Sequence, residues 1–230
     1  MNKVLILTLT AFLVITSLTN AQVIYPSDYN FTSPSLSASS FQIAPTGTAW
    51  NFSGIIADST TSPNESGIAA NGSQNLTDAP NGQAAYLQGF SSISQTITVP
   101  TGTISLTFDW EGRSPVSYTN SQGQPVTTGP NEIVVTLGGV QLFDGTPGNI
   151  GSFESVTTDS AIFAGNSYDL VFSGVSSGYL TGNFGDNMTF VDNIQANVAP
   201  VPEPARLGLM LVASFLFVFL RRLKSRLAKA

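Results

Sequence analysis

The chain has 230 residues, of which 42% are hydrophobic and only 10% charged, so it is long enough for one well-packed domain and poorly suited to helical bundles. It contains no Cys and no His, which excludes disulfides, cysteine metal sites, serine-protease triads and most zinc enzymes. Between Gln22 and Pro204 a single Arg stands against fourteen Asp and Glu residues. A body of such negative charge repels phosphate backbones, so nucleic-acid binding is excluded as well.

Residues 1–21 have the pattern of a cleaved signal peptide. Lys3 precedes an apolar run from Val4 to Ile15, and small residues ending at Ala21 supply a cleavage site. The alternative is a short membrane anchor, but the apolar run is short for a membrane span. We therefore predict an exported protein whose mature N-terminus is Gln22.

Residues 22–198 alternate apolar and polar side chains in short segments separated by Gly, Pro, Asn and Ser, which is the pattern of half-buried β-strands. In segment 103–113 one face carries Ile104, Leu106, Phe108 and Trp110. Further strands are predicted over residues 84–90, 92–99, 131–137, 140–143, 150–156, 168–173 and 188–195. These strands predict one all-β domain, an antiparallel β-sandwich of the jelly-roll type.

The C-terminal segment 199–230 has three parts. These are the Pro-rich element Val201-Pro202-Glu203-Pro204, an apolar stretch over 207–220 that is predicted to be helical, and a basic tail that begins with Arg221 and Arg222. At 1.5 Å per residue the helix is about 21 Å long, shorter than a hydrocarbon core of about 30 Å. The pattern therefore predicts a weak transmembrane helix with its basic tail in the cytoplasm.

This three-part tail resembles the PEP-CTERM sorting signal of bacterial surface and extracellular-matrix proteins. The resemblance implies that an exosortase, a membrane-embedded cysteine transpeptidase, recognises the Pro-Glu-Pro element and detaches the protein. The expected partners are thus the export machinery, the exosortase and, transiently, the membrane, and the expected destination is the cell surface or the extracellular matrix. A plain C-terminal anchor after a Pro-rich stalk is the alternative.

The body also resembles a domain common in PEP-CTERM proteins, which is similar to the galactose-binding-like jelly rolls of carbohydrate-binding modules. The resemblance is carried, in order, by residues 31–34, 49–54, 67–73, 84–88, 92–95 and 189–194. It implies a non-catalytic domain with extracellular polysaccharide as a partner. A purely structural surface or adhesion component and an ice-binding protein are the alternatives.

Asp192 is the candidate metal ligand. It has the strand parity of Phe190 and Ile194, so we predict that it points inward or lies at the end of the sheet. If it is buried, its carboxylate needs hydrogen bonds or a cation. In the related modules an acid at this position helps to hold a structural calcium ion, with a second acid near the first strand. Here Thr32 stands where Glu is common, which leaves Asp28 as the candidate second ligand. A hydrogen-bonded Asp192 without metal is the alternative, and no other cofactor is predicted.

Three residues are candidates for binding a ligand. Tyr118 and Phe184 belong to long segments predicted as loops, 112–130 and 182–187, whereas Trp50 and Trp110 are predicted to be core residues. Arg113, at the end of a strand, is able to bind a carboxylate or sugar hydroxyls. It shares a strand face with Asp109 and Glu111, and we interpret these three as a solvated row of ions rather than as a glycosidase pair beside an Arg.

Overall fold

Strands with alternating burial make up most of the body of the protein. The structure is a computed structural model that describes residues 21–54, 65–119, 123, 125–175, 186–199, 213–217 and 220–221. The strands are β1 (Gln22–Ile24), β2 (Phe41–Ile43), β3 (Asn51–Ser53), β4 (Ser66–Ala70), β5 (Gln83–Gln88), β6 (Ser92–Val99), β7 (Gly102–Gly112), β8 (Ser117–Thr119), β9 (Pro125–Gly129), β10 (Glu132–Leu137), β11 (Val140–Gly145), β12 (Glu154–Thr157), β13 (Ala161–Phe163), β14 (Asn166–Val175) and β15 (Asp186–Ala199).

The strands form two sheets. The larger sheet has the order β12-β7-β15-β5-β4-β2, with β1 and β9 also paired to β15 and β13 paired to β7. The smaller sheet has the order β11-β10-β14-β6-β3. Nearly all pairings are antiparallel; the short contact of β9 with β15 is parallel. The predicted all-β sandwich is thereby confirmed.

The main core lies between the two sheets. Strand β7 contributes the inward face that its alternation predicted, and strands β10 and β14 of the smaller sheet contribute the facing side chains. Trp50 and Trp110 are both buried in this core, as predicted. The central residues of the core are Ile104, Leu106, Phe108, Ile133, Val135, Leu137, Leu170 and Phe172.

A second apolar cluster covers the outer side of the larger sheet. Tyr86 and Phe190 lie opposite each other on β5 and β15 and pack beneath Leu76, which belongs to the segment 71–82. Phe153, just before β12, packs against the same cluster. As a result β5 is buried on both faces, and the outer side of this part of the sheet is closed to solvent.

A bulge in β15 changes which way its side chains point. Asn193 has a φ of 51°, in the left-handed region. Val191 and Ile194 therefore both face the main core, while Phe190 belongs to the outer cluster. Asp192 keeps the predicted parity with Phe190, but the predicted parity with Ile194 is wrong, because the extra residue at the bulge interrupts the alternation. Asp192 lies on the outer side of the sheet, beneath the segment 71–82.

The residues after β1 form an anchored loop. Residues 30–32, which the resemblance matches to the first strand of the related modules, lie in a turn in which Asp28 and Phe31 both have φ near 50°. The buried amide of Gln95 on β6 accepts the Ser27 amide at 2.8 Å and donates to the Ser27 carbonyl at 3.0 Å. Gln83 on β5 holds the other end of the loop by donating to the carbonyls of Phe31 and Pro34.

The two ends of the chain contribute little to the described structure. One compact unit spans Gln22–Val198, and in the other unit residues 213–217 and 220–221, which include Arg221, are helical. Within the described ranges no helix is long and apolar enough to cross a membrane. The predicted signal peptide, the element Val201-Pro202-Glu203-Pro204, Arg222 and much of the predicted helix 207–220 lie outside those ranges.

Candidate functional site

At one end of the sandwich two segments, the loop between β5 and β6 and the segment after β7, are held to the beginning of β15. The loop between β5 and β6 is held to β15 because the Gly89 amide donates to the Asn187 carbonyl at 3.3 Å. The segment after β7 is held to the same strand by the Arg113 amide, which donates to the Met188 carbonyl at 3.0 Å. Both loops therefore start from one rigid point, the beginning of β15.

The buried Asn131 connects the loop between β5 and β6 to β15 by hydrogen bonds. Its side chain is fully buried, and its Nδ2 donates to the Gly89 carbonyl at 2.8 Å. Its backbone amide donates to the Thr189 hydroxyl at 3.1 Å, so the residue ties the loop to β15. Sequence reasoning missed Asn131, because an Asn before a strand is also an ordinary turn residue and nothing local marks it as buried.

The segment 112–130 contains a hairpin instead of the predicted long loop. Tyr118 on β8 pairs with Val126 on β9. The Thr128 hydroxyl accepts the Val116 amide and donates to the Ser114 carbonyl, both at 2.7 Å. The described part of the hairpin is therefore fixed at its base, which gives Tyr118 a defined position.

We call Phe90, Arg113 and Tyr118 the end surface. Phe90 is 59% exposed and Tyr118 is 44% exposed, whereas Arg113 is half-buried. The structure thus places two of the predicted ligand-binding residues, Arg113 and Tyr118, on segments that meet at one end of the sandwich. The third, Phe184, lies outside the described residues.

Asp28 closes the turn after β1. Its Oδ1 accepts the Thr32 amide at 2.8 Å and the Ser33 amide at 3.2 Å, and the Thr32 hydroxyl donates to the same oxygen at 3.2 Å. Burial raises the pKa of Asp28, and the hydrogen bonds from Thr32 and Ser33 act against that rise. This carboxylate is occupied by donors of its own turn.

Asp192 is fully buried and also has protein donors. Its Oδ1 accepts the Asn193 amide at 2.8 Å, and its Oδ2 accepts the Asn81 side chain at 3.4 Å. Burial raises its pKa to about 7, the hydrogen bonds from Asn193 and Asn81 oppose the rise, and the negative charge of Asp109 adds to it. Asp109 in turn accepts the Asn193 Nδ2 at 2.8 Å.

Asp28 and Asp192, the candidate calcium ligands, each make separate hydrogen bonds. Across the described ranges, no group of three or more His, Cys, Asp or Glu side chains is placed to hold a metal ion. The donors around Asp192 and Asp28 satisfy a carboxylate in the way that the hydrogen-bonded alternative requires. Each oxygen of Asp192 accepts a hydrogen bond from the protein.

Glu111 departs most from its prediction. The proposed solvated row of Asp109, Glu111 and Arg113 is wrong, because the Glu111 side chain is 0% exposed. Neither of its carboxylate oxygens makes a hydrogen bond of ordinary geometry. Burial raises its pKa to about 7; the nearby Gly151 amide lowers it in part, and the charge of Asp78 raises it further. The strand alternation gave no signal of this, because the cover comes from residues 71–82 and 146–153.

Comparisons with known proteins find likeness in structure only. No family model and no curated protein sequence matches the chain. A cyclase from Fischerella sp. TAU, in complex with 4-(1H-indol-3-yl)butan-2-one, matches with a TM-score of 0.56 at 19% identity over 79% of this chain and 100% of that chain. The Stig cyclase Fisc from the same source matches with a TM-score of 0.54 at 16% identity over 80% of this chain and 100% of that one.

Carbohydrate-binding modules are also among the matching structures. The module TmCBM61, in complex with beta-1,4-galactotriose, matches with a TM-score of 0.41 at 13% identity over 65% of this chain and 88% of that chain. At such identities the likeness to the cyclases shows a shared β-sandwich fold and nothing about activity.

Proposed function

We propose that the protein is an exported, non-catalytic surface or matrix protein whose jelly-roll domain binds extracellular polysaccharide at the end surface. The observation that carries the proposal is the exposure of two aromatic rings, Phe90 and Tyr118, on segments that, like the one carrying Arg113, are hydrogen-bonded to the beginning of β15. Aromatic rings offer flat apolar area to a sugar ring at a low entropy cost, and a guanidinium offers several donors in a fixed plane for hydroxyl groups.

The chemistry of the chain supports a binding role over a catalytic one. The chain has no His or Cys to act as base or nucleophile near neutral pH. Among the described residues, Glu111 and Asp192 have a pKa near 7, and both are fully buried, so neither contacts a polymer bound outside. A fold shared with cyclases does not supply a reaction.

The binding proposal is tested with the full chain on an array of bacterial and plant polysaccharides. For a polysaccharide that binds, Phe90→Ala and Tyr118→Ala are each expected to weaken affinity about five- to tenfold, because each removes a contact worth about 1 kcal/mol or more. Tyr25→Ala is the matched control: Tyr25 is 56% exposed but follows β1, which pairs with the other end of β15.

Two outcomes of this experiment contradict the binding proposal. If no polysaccharide binds, the protein is better described as a structural or adhesion component of the surface. If Tyr25→Ala weakens binding while Phe90→Ala and Tyr118→Ala do not, the domain binds sugar at a different place from the end surface.

Export and processing form the second half of the proposal. They are supported by the order of signal peptide, body, Pro-Glu-Pro element, apolar stretch and basic tail in the sequence. Mass spectrometry of the native surface form is expected to show an N-terminus at or near Gln22 and no residues from Arg221 onward. A mature protein that retains the intact basic tail would rule out detachment by an exosortase and leave the plain C-terminal anchor as the explanation.

A further inference from the structure

Acidic residues lie beside the loop that carries the exposed Phe90 ring. This loop joins β5 to β6. Just before it, the Gln88 amide donates to the carbonyl of Glu65, which directly precedes β4 of the larger sheet, at 2.9 Å. The side chain of Asn131, which directly precedes Glu132 on β10 of the smaller sheet, donates to the loop at 2.8 Å. Each sheet therefore places one acidic residue next to the loop.

Glu132 also has a second carboxyl group beside it. Asp144 is near the end of β11, the neighbour of β10, and pairs there with Val134. A hydrogen bond with Asp144 raises the pKa of Glu132, and the negative charge of Asp144 adds to the rise. Two carboxyl groups that share one proton still carry one negative charge. This side of the loop is therefore acidic even when the pair holds a proton.

The charge of the rest of the body has the same sign. Between Gln22 and Pro204, Arg113 is the one basic residue, against fourteen Asp and Glu residues. Arg113 is half-buried at the end surface, and its Nε is buried. In about 0.01 M salt the Debye length is about 30 Å, so charges of the whole domain act on a polymer that approaches it. A single guanidinium does not offset this field, and a polymer with many carboxylates is repelled.

We infer, on the basis of the proposed binding function, that the end surface selects an uncharged polysaccharide and excludes one that carries carboxylates. Stacking on Phe90 and Tyr118 and hydrogen bonds to hydroxyl groups need no charge on the polymer. A carboxylate on each sugar brings like charges next to Glu65 and Glu132, and such contacts suppress the binding of a wrong partner. Attraction of an amino polysaccharide to the acidic body is not confined to the end surface, and salt screens it.

The test compares neutral polymers with oxidised forms of the same polymers. A β-glucan, a galactan and a mannan are presented to the full chain in native form and after oxidation of their primary alcohols to carboxylates, in about 0.01 M and about 1 M salt. Pectate, alginate and chitosan are measured beside them. For a neutral polymer that binds, oxidation is expected to weaken binding at least about tenfold at the lower salt and much less at the higher salt. Methyl esterification of the new carboxylates is expected to restore the binding.

Two variants that each remove one negative charge show where the repulsion arises. Glu132→Gln is expected to reduce the ratio of native to oxidised affinity about threefold at the lower salt, because its charge lies beside the Phe90 loop. Asp169→Asn removes a charge from an exposed position on β14. That position is about 20 Å along the strand from Val175, which pairs with Glu132, so the ratio is expected to stay unchanged.

Three results overturn the inference. The first is an acidic or oxidised polymer that binds at the lower salt as tightly as the neutral ones. The second is an equal change of the affinity ratio in Glu132→Gln and Asp169→Asn, because the repulsion then does not come from the end surface. The third is chitosan binding that persists at the higher salt and is lost in Phe90→Ala. Binding to no polymer at all is a different result, since it contradicts the proposed function itself.

Discussion

Replacing Phe108 by Ala is expected to lower the free energy of unfolding by about 3–5 kcal/mol. Its ring lies 5.2 Å from that of Phe172, 5.5 Å from Phe143 and 6.1 Å from Trp110, each in an edge-to-face arrangement. Phe108 and Trp110 are on β7, whereas Phe143 and Phe172 are on β11 and β14 of the other sheet. Ala therefore leaves a cavity between the sheets that the remaining rings, each fixed by its own strand, do not fill. Urea unfolding of the full chain measures the loss.

The control for this substitution is Phe90→Ala. The Phe90 ring is 59% exposed, so its removal is expected to change the free energy of unfolding by only about 0.5 kcal/mol. Phe108→Leu, which keeps an apolar side chain of similar bulk, is expected to fall between the two. Equal losses for Phe90→Ala and Phe108→Ala would contradict the position of the main core given above.

The sequence predicts the fold well wherever a strand is long and its alternation is unbroken. On β7 the inward face of Ile104, Leu106, Phe108 and Trp110 follows directly from the alternation, and the structure buries all four. On β15 the same reasoning fails after Val191, because the bulge at Asn193 adds a residue that no period-two pattern reveals. Short strands such as β1, β2 and β13 escaped prediction because three residues show no period.

The candidate sites are less predictable, because they depend on segments that meet only in the folded chain. Arg113 was predicted because it follows a strand, and Tyr118 because it lies in a long segment. The hydrogen bond from Asn131 to the Gly89 carbonyl, which holds the neighbouring loop, was not predicted. Glu111 was placed correctly on the outer face of β7 and then assigned to solvent. A single sheet face looks exposed from its own sequence, whereas here it is covered from two distant parts of the chain.

The segments 71–82 and 146–153 also affect the stability of the folded chain, because they bury two carboxyl groups on one side of the larger sheet. Glu111 lies under the loop 146–153, and Asp192 lies under Asn81 of the segment 71–82. Each has a pKa of about 7 in the folded chain, against ordinary values of 4.5 and 3.8. The folded state therefore binds more protons than the unfolded state between about pH 4 and 7.

We accordingly expect the protein to become less stable as the pH rises from 5.5 to 8. Both groups have raised pKa values in the folded state. Below their unfolded pKa both groups are protonated in either state and do not lower the stability. Above about pH 7 both are ionised, and the folded state bears the whole free-energy cost of the buried charges. For Glu111 the full difference, between about pH 4.5 and 7, corresponds to about 3 kcal/mol, of which about 2 kcal/mol falls above pH 5.5. Urea unfolding at several pH values, in buffer freed of divalent ions, measures the slope.

Two isosteric variants assign this pH dependence to its sources. Glu111→Gln and Asp192→Asn are each expected to flatten the curve and to be more stable than the wild type at pH 8, because each keeps the shape of the side chain without the buried charge. A protein that is equally stable at pH 5.5 and 8 would show that neither carboxyl group is buried as described.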